Sequence, residues 1–326
     1  MPLIAHLLLP FGVRPTRRGA LLLAWGAMVF VLLLLVTAPA FAAAIEIEVV
    51  LSDNSGLYAD AAQELKLGLG PDVHCTSTTA EAVERKEKAA SSAVIVTLGT
   101  RALSAVLARE PATVPVIAAL VPRKAFEAAV AAAQAPSRPV SAVFLDQPYS
   151  RQLNLIRLML PGGSRVGVLI GPEWESQVTM LANTAREQRI TLVRETVNAP
   201  RDLHPALQRL LGEVDTILAL PDFSVFNAST LPNVLLTSYR KQQPVFGFSP
   251  AYVRAGALAA VFSSPQQNAR QAAEMVLRVL ASGSLPQPQY PHAFWVSVNG
   301  TVARSLDLKV QEEAVLVAEL QRLEKE

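Results

Sequence analysis

The stretch 146–172, DQPYSRQLNLIRLMLPGGSRVGVLIGP, divides the chain into two halves with the same pattern. Pro148 interrupts a series of short apolar runs, a helical segment follows it, and Pro161-Gly162-Gly163 ends that segment. Proline and glycine in such positions mark the ends of regular elements. A new apolar run begins at Arg165. The stretch therefore predicts two α/β halves, joined near residue 147.

Short apolar runs alternate with helical segments in both halves. The runs are 45–53, 72–78, 93–99, 114–122 and 140–146 in the first half and 165–172, 190–197, 215–222 and 244–249 in the second. Helical segments such as LYADAAQELKLGL (57–69) lie between most of them. Alternation of this kind indicates βαβ units and parallel sheets. The predicted fold class is α/β, with a parallel sheet in each of two Rossmann-like lobes.

The residues after 249 contain too few elements for a third domain. They hold one apolar run, the helix PQQNARQAAEMVLRVLASG, an extended segment and a final amphipathic helix from about Leu308. We expect these pieces to complete the two lobes, so that the chain crosses between lobes three times, in a hinge at 146–148, 262–264 and 285–290. The predicted N-terminal lobe is 43–146 plus 263–284, and the predicted C-terminal lobe is 147–262 plus 285–326.

The first 42 residues have the pattern of a secretory signal peptide. Three arginines precede an 18-residue apolar run, 19–36, and Ala40-Phe41-Ala42 fits the small-residue cleavage site. We predict cleavage after Ala42 and export to the periplasm. Because 18 apolar residues are at the lower limit for a membrane span, an uncleaved N-terminal anchor stays open as an alternative.

Charge and special residues exclude several classes of function. Without residues 1–42 the chain has 26 basic and 27 acidic residues and no basic cluster, so nucleic acid is not expected as a partner. The only cysteine, Cys75, cannot form an internal disulfide and does not follow the signal as a lipoprotein cysteine would. The histidines lack metal-motif spacing and no phosphate-binding glycine motif is present, so neither a metal nor a cofactor is predicted.

The segment Gly247-Phe248-Ser249-Pro250-Ala251 almost matches the G-x-S-x-G nucleophile elbow of hydrolases. In that elbow the backbone N–H after the serine helps to bind the oxyanion, and Pro250 has no N–H. The only histidine and aspartate after Ser249 also come in the wrong order, His292 before Asp307. We therefore predict a protein that is not an enzyme, with a serine hydrolase as an alternative and cleft lining or helix capping as the role of Ser249.

Candidate ligand-binding residues lie where predicted strands end, because open α/β sheets bind ligands at the carboxyl ends of their strands. An aromatic surface with carboxylate, hydroxyl and guanidinium groups suits a small polar organic molecule. Each residue also has a purely structural interpretation, such as helix capping by Ser52 and Asp53 or a solvated position for Arg101. The candidates are Ser52, Asp53, Gly99, Thr100, Arg101 and Pro122 in the first lobe, Gln147 at the first crossing, and Trp174, Asp222, Phe223 and Ser249 in the second lobe.

Four segments carry a resemblance to a known family. They are VFLDQPYSRQLNLIRLMLPGGSRVGVLIGP (143–172), DTILALPD (215–222), PVFGFSPAYVRAGALAA (244–260) and VSVNGTVARSLDL (296–308). The chain resembles the ABC transporter substrate-binding proteins of the tryptophan-binding-like family over nearly all of its length after residue 42. The resemblance implies a type I periplasmic binding fold, whose two lobes close over a solute.

The family loop after the third strand of the second lobe commonly reads Pro-Thr-Asp-Asn and touches the ligand. The matching residues here are Pro221-Asp222-Phe223-Ser224, so the resemblance carries over only Asp222 as a contact. The implied function is solute binding for an ABC importer, with a small solute, amino acid-like among the options, and an inner-membrane permease as partners. The alternative is a sensory ligand-binding domain held at the membrane by the uncleaved N-terminal segment.

Overall fold

The computed structural model describes residues 45–85, 92–109, 113–133 and 138–325. The predicted signal peptide and its cleavage site lie outside these residues. No helix in the described part of the chain is long and apolar enough to cross a membrane.

Two sheets form the framework of the molecule. The first has the order β2-β1-β3-β4-β5, with all strands parallel. The second has the order β11-β10-β9-β8-β6-β7 and is parallel except for β11, which pairs antiparallel with β10. The two sheets confirm the predicted α/β class.

The first sheet consists of β1 (Ile45–Leu51), β2 (Val73–Thr79), β3 (Val94–Leu98), β4 (Val116–Val121) and β5 (Val140–Phe144), connected by α1 (Gly56–Leu69), α2 (Ala80–Glu84), α3 (Thr100–Leu107) and α4 (Arg123–Ala132). All side chains of β3 and β4 are buried. This burial explains their nearly continuous apolar sequence, because helices cover both faces of a parallel sheet.

The second sheet follows α5 (Tyr149–Met159). It consists of β6 (Arg165–Ile170), β7 (Thr191–Thr196), β8 (Thr216–Leu218), β9 (Val245–Gly247), β10 (Ala259–Phe262) and β11 (Trp295–Val298). Its helices are α6 (Glu175–Glu187), α7 (Leu203–Leu211), α8 (Leu231–Arg240), α9 (Pro250–Ala255), α11 (Gly300–Ser305) and α12 (Glu313–Leu323). A 3-10 turn, Pro172–Trp174, connects β6 to α6.

Helix α10 (Pro265–Ser282) returns from the second sheet to the first. Its apolar face, which includes Ala272 and Val276, packs in one cluster with Ile47 of β1 and Leu65 of α1. The helix begins with a capping box, in which Ser264 and Gln267 satisfy each other's backbone N–H groups. The first lobe therefore contains a helix that the chain supplies only after most of the second sheet.

The segment around Gln289, within the predicted third crossing at 285–290, pairs with the first sheet. Gln289 donates its backbone N–H to Ala142 and accepts one from Phe144, so this segment runs along the edge of β5. The Tyr290 ring contacts the Phe144 ring at a centroid distance of 5.4 Å. β5 is the edge strand of its sheet, and pairing with 289 satisfies backbone groups that the edge leaves free.

One network of polar side chains, buried except for Glu324, joins all three crossings. We call Gln147, Arg151, Ser263 and Glu324 the crossing network. Arg151 donates to Gln147 Oε1 at 2.6 Å and to the Pro291 carbonyl at 2.9 Å, and it forms a two-pronged ion pair with Glu324 of the segment after α12. Gln147 Nε2 donates to Ser263 Oγ at 2.9 Å. Ser263 in turn donates to the carbonyl of Ala293 at 2.6 Å, which connects the second crossing to the third.

Candidate functional site

A cleft of about 1070 Å³ lies between the two sheets, at the side where their strands end. Pro122 after β4 and residues of α4 line it from the first lobe, the first crossing lines its floor, and the loops after β6, β7, β8 and β9 line it from the second lobe. Apolar and aromatic side chains form most of its wall, as is usual for sites that bind small molecules.

Six of the eleven residues predicted from the sequence line this cleft. They are Pro122, Gln147, Trp174, Asp222, Phe223 and Ser249. The other five, Ser52, Asp53, Gly99, Thr100 and Arg101, are not among the described residues that line it. Four of the six lie on the second lobe, one on the first lobe and one at the first crossing.

The five remaining residues have structural roles at the starts of α1 and α3. Ser52 Oγ accepts the backbone N–H of Ala102 at 3.1 Å, and Asp53 accepts that of Ser55 at 2.7 Å. Gly99 precedes Thr100, the first residue of α3, and has a φ of +93°. A Cβ at Gly99 would lie 2.4 Å from Ser52 Oγ, so both the backbone conformation and the space require glycine.

Arg101 lies on the surface, where its guanidinium donates to both carboxylate oxygens of Glu84 at 3.1 and 2.7 Å. We expect Arg101→Ala to leave the affinity for a cleft-bound solute within twofold of wild type, because the ion pair is exposed and outside the cleft. Titration calorimetry and a thermal melt measure this. A tenfold loss of affinity with an unchanged melting temperature would place Arg101 in the binding site after all.

Asp222 holds two loops of the second lobe together. The residue is only 3% exposed. Its Oδ2 accepts the backbone N–H of Gly171 at 2.6 Å, and its Oδ1 accepts the N–H and hydroxyl of Ser224 at 3.0 and 2.6 Å. Asp222 is therefore not surrounded by water in the empty cleft. The carboxylate of Asp222 lies against the backbone of Gly171 and forms its hydrogen bonds within the protein.

Trp174 and its neighbours contact the first lobe across the cleft. Lys124 Nζ of α4 lies 5.4 Å from the centroid of the Trp174 ring and 3.5 Å from Glu173 Oε2. A second contact joins Gln177 Nε2 of α6 to Glu127 Oε2 of α4 at 3.4 Å. The two lobes thus meet along one side of the cleft. The Lys124 ammonium group already lies over the indole ring of Trp174.

Aromatic rings form the wall on the second lobe. Phe223 is 68% exposed and meets Phe248 edge to face at a centroid distance of 6.5 Å, and Phe248 packs on Tyr252 at 4.3 Å. Ser249 is the N-cap residue of α9, but its side chain forms no capping hydrogen bond. Pro250 occupies the first helical position, so the N–H that an oxyanion hole needs is missing there.

The floor of the cleft consists of residues that the sequence analysis did not single out. Asp146, Tyr149 and Gln152 lie three residues apart at the first crossing and the start of α5, and all three line the cleft. Tyr149 and Gln152 share one face of α5, which is the signal that was available in the sequence, while Asp146 precedes the helix. Beside them, Arg123 donates to the Tyr290 hydroxyl at 2.9 Å and to Glu127 at 2.7 Å.

Asp146 has a special electrostatic position on this floor. Its Oδ2 accepts the backbone N–H of Arg123, the first residue of α4. Burial raises the pKa of the Asp146 carboxyl, and neither this N–H nor the nearby Arg123 guanidinium offsets the rise. Burial also raises the pKa of the Tyr149 hydroxyl, and the neighbouring Asp146 charge adds to the effect.

A family model described as ABC transporter substrate binding protein matches residues 71–321. The chain belongs to this family. Membership agrees with the resemblance of its four segments and with a two-lobed fold of the type I periplasmic binding class. No curated protein sequence matches the chain significantly. As a substrate-binding protein it belongs to a family whose members typically bind solutes rather than convert them.

Solved structures share the fold of this substrate-binding protein at low sequence identity. A ligand-free, open substrate-binding protein with adhesive properties from Clostridium difficile is 17% identical, with a TM-score of 0.65 over 82% of this chain and 96% of the other. A Streptococcus pneumoniae ABC domain in complex with L-Trp is 18% identical, with a TM-score of 0.55 over 83% and 97%. A conserved domain protein from Vibrio cholerae is 22% identical, with a TM-score of 0.56 over 84% and 98%.

Proposed function

We propose that the protein is the periplasmic solute-binding component of an ABC-type importer and has no catalytic activity of its own. The observation that supports this most is the cleft between two lobes that are connected by three crossings. Such a cleft can open and close by rotation about the crossings, and binding energy then favours the closed form. An ABC permease of the inner membrane is the proposed partner.

The proposed solute is a small organic molecule that fits an aromatic cleft with a few polar groups. The L-Trp complex of the Streptococcus pneumoniae structure supports an amino acid-like solute as one possibility. Pro122, Gln147, Trp174, Phe223 and Ser249 are proposed to lie next to it, since they line the cleft.

Closure predicts a measurable change of shape. The radius of gyration from small-angle scattering should fall when a solute saturates the protein, because the two lobes rotate towards each other. Native mass spectrometry of protein purified without denaturation identifies a retained solute and supplies the ligand for this measurement. A solute that binds tightly without changing the radius of gyration would contradict the hinge.

The proposed location has a separate test. Periplasmic material should begin at or near Ala43, as the cleavage site predicts. Membrane-bound material that still contains Arg14 would instead support the anchored sensory domain.

A further inference from the structure

We infer that the solute is an organic cation, with an ammonium group on an apolar or aromatic body, and that the floor residues Asp146 and Gln152 bind the ammonium group. This inference rests on the proposed function, since it assigns the solute class of the same cleft. The assigned solute also differs from an amino acid, because the floor residues provide no partner for a carboxylate on the solute.

The first observation is the unmatched charge of Asp146. No described side chain donates a hydrogen bond to it, and among the described residues its only partners are backbone N–H groups, chiefly that of Arg123. Arg123, Glu127, Tyr149 and Tyr290 face it from α4, α5 and the third crossing. A half-buried carboxylate that forms no ion pair is costly to charge, and the raised pKa of Asp146 has the direction that this cost predicts, despite the nearby Arg123 guanidinium. A ligand ammonium supplies the missing charge.

The second observation is a buried acceptor on Gln152. Its side-chain Nε2 donates to the Gln147 carbonyl at 3.1 Å, which determines the orientation of the amide. Its Oε1 is buried and has no hydrogen-bond partner among the described residues, although Gln152 lines the cleft and is only 7% exposed. Buried acceptors are nearly always satisfied in native structures, so a donor from a bound solute is the missing partner.

The third observation concerns the cations of the cleft. Arg123 is paired with Glu127 at 2.7 Å, and Lys124 lies 3.5 Å from Glu173 and over the Trp174 ring. The N-terminus of α4, which would attract an anion, already receives the Asp146 carboxylate. A solute carboxylate would have to displace Glu127 from Arg123, Glu173 from Lys124 or Asp146 from the start of α4.

The aromatic wall accounts for the body of the solute. Phe223 and Phe248 present exposed or partly exposed rings to the cleft from the second lobe, and Asp222, the other buried carboxylate, is fully engaged by Gly171 and Ser224. The charged end therefore belongs at the crossing floor and the apolar end at the second-lobe wall. Aromatic faces also attract cations, which favours an amine over a neutral analogue.

Three probes with the same phenyl body separate the charge classes: phenethylamine, phenylalanine and 3-phenylpropionate. Calorimetric titration of the full protein should give the tightest binding for phenethylamine, by about tenfold or more over the other two. Asp146→Asn keeps an oxygen for the Arg123 N–H but removes the charge. It should weaken phenethylamine binding by about 10- to 100-fold. Its melting temperature should equal or exceed that of wild type, because the uncompensated buried charge is gone.

Gln152→Leu is a second variant and should also weaken phenethylamine binding. Asp60→Asn, at an exposed position of α1, is the matched control and should bind as wild type does. Tighter binding of phenylalanine or 3-phenylpropionate, or wild-type affinity in Asp146→Asn, would overturn the cation assignment and leave solute binding intact. If no probe binds, the solute that native mass spectrometry identifies decides the question. A retained cation supports the assignment, and a retained zwitterion or anion overturns it. A protein that binds no probe and retains no solute would overturn the proposed function as well.

Discussion

Replacement of Arg151 by methionine is expected to lower the free energy of unfolding by about 2–3 kcal/mol, because it removes a buried guanidinium that pairs with the partly exposed Glu324 and donates to Gln147 and Pro291. Arg151 is almost fully buried, packs its guanidinium 3.9 Å from the centroid of the Phe294 ring and forms the two-pronged pair with Glu324. Methionine fills much of the same volume, so the loss reports mainly the unpaired Gln147 amide oxygen and Pro291 carbonyl, because water still reaches Glu324.

The matched control for this substitution is Arg194→Met. Arg194 also pairs with a glutamate, Glu175, but both side chains are more than half exposed. Exposed pairs contribute about 0–1 kcal/mol, so the control should melt close to wild type. Chemical denaturation of both variants measures the difference. Equal losses in the two variants would show that the crossing network contributes no more than a surface ion pair.

Replacement of Asp222 by alanine is expected to cost about 3 kcal/mol of unfolding free energy even without any solute. The Gly171 N–H and the Ser224 N–H and hydroxyl lose their acceptor together, and the Gly171 N–H is left buried. The two loops that these bonds join also present Trp174 and Phe223 to the cleft. We therefore expect a weaker affinity as a consequence of the displaced loops.

Glu173→Ala is the control for Asp222→Ala, because Glu173 is an acid of the same cleft whose side chain is 87% exposed. Thermal melts without ligand should show a large shift for Asp222→Ala and almost none for Glu173→Ala. An unchanged melting temperature in Asp222→Ala would mean that the carboxylate is available to a solute, as the resemblance implied.

The fold could be predicted from the sequence because its signals are local. Apolar runs such as VIVTL in β3 and the break at Pro148 each follow from a few neighbouring residues. The pairing of Gln289 with the edge of β5 was not predicted, because it joins residues more than a hundred positions apart. Periodicity alone carries no information on such a pairing.

The site was predicted in part because the same residue types bind ligands and begin helices. Ser52 and Asp53 stand at a strand end, as the rule for α/β sheets requires, but Ser52 accepts the N–H of Ala102 in the first turn of α3 and Asp53 accepts that of Ser55 before α1. The burial of Asp222 depends on the distant Gly171, so the role of Asp222 could not be inferred from the segment 221–224 alone. Asp146, Tyr149 and Gln152 were recognisable by their spacing only after the first crossing was known to form a cleft floor.

The late return of α10 to the first lobe determines the order in which the molecule can fold during synthesis. Strands β1 to β5 leave the ribosome before β6. The apolar face around Leu65 and Ala61 of α1 stays uncovered until Ala272 and Val276 of α10 are made, after β10. Contacts between segments so far apart in the chain are slow to form. Residues 45–326 are accordingly one compact unit. A nascent chain that stops at the second crossing would expose this face to aggregation, so the first lobe depends on α10, a helix made after β10, for its own stability.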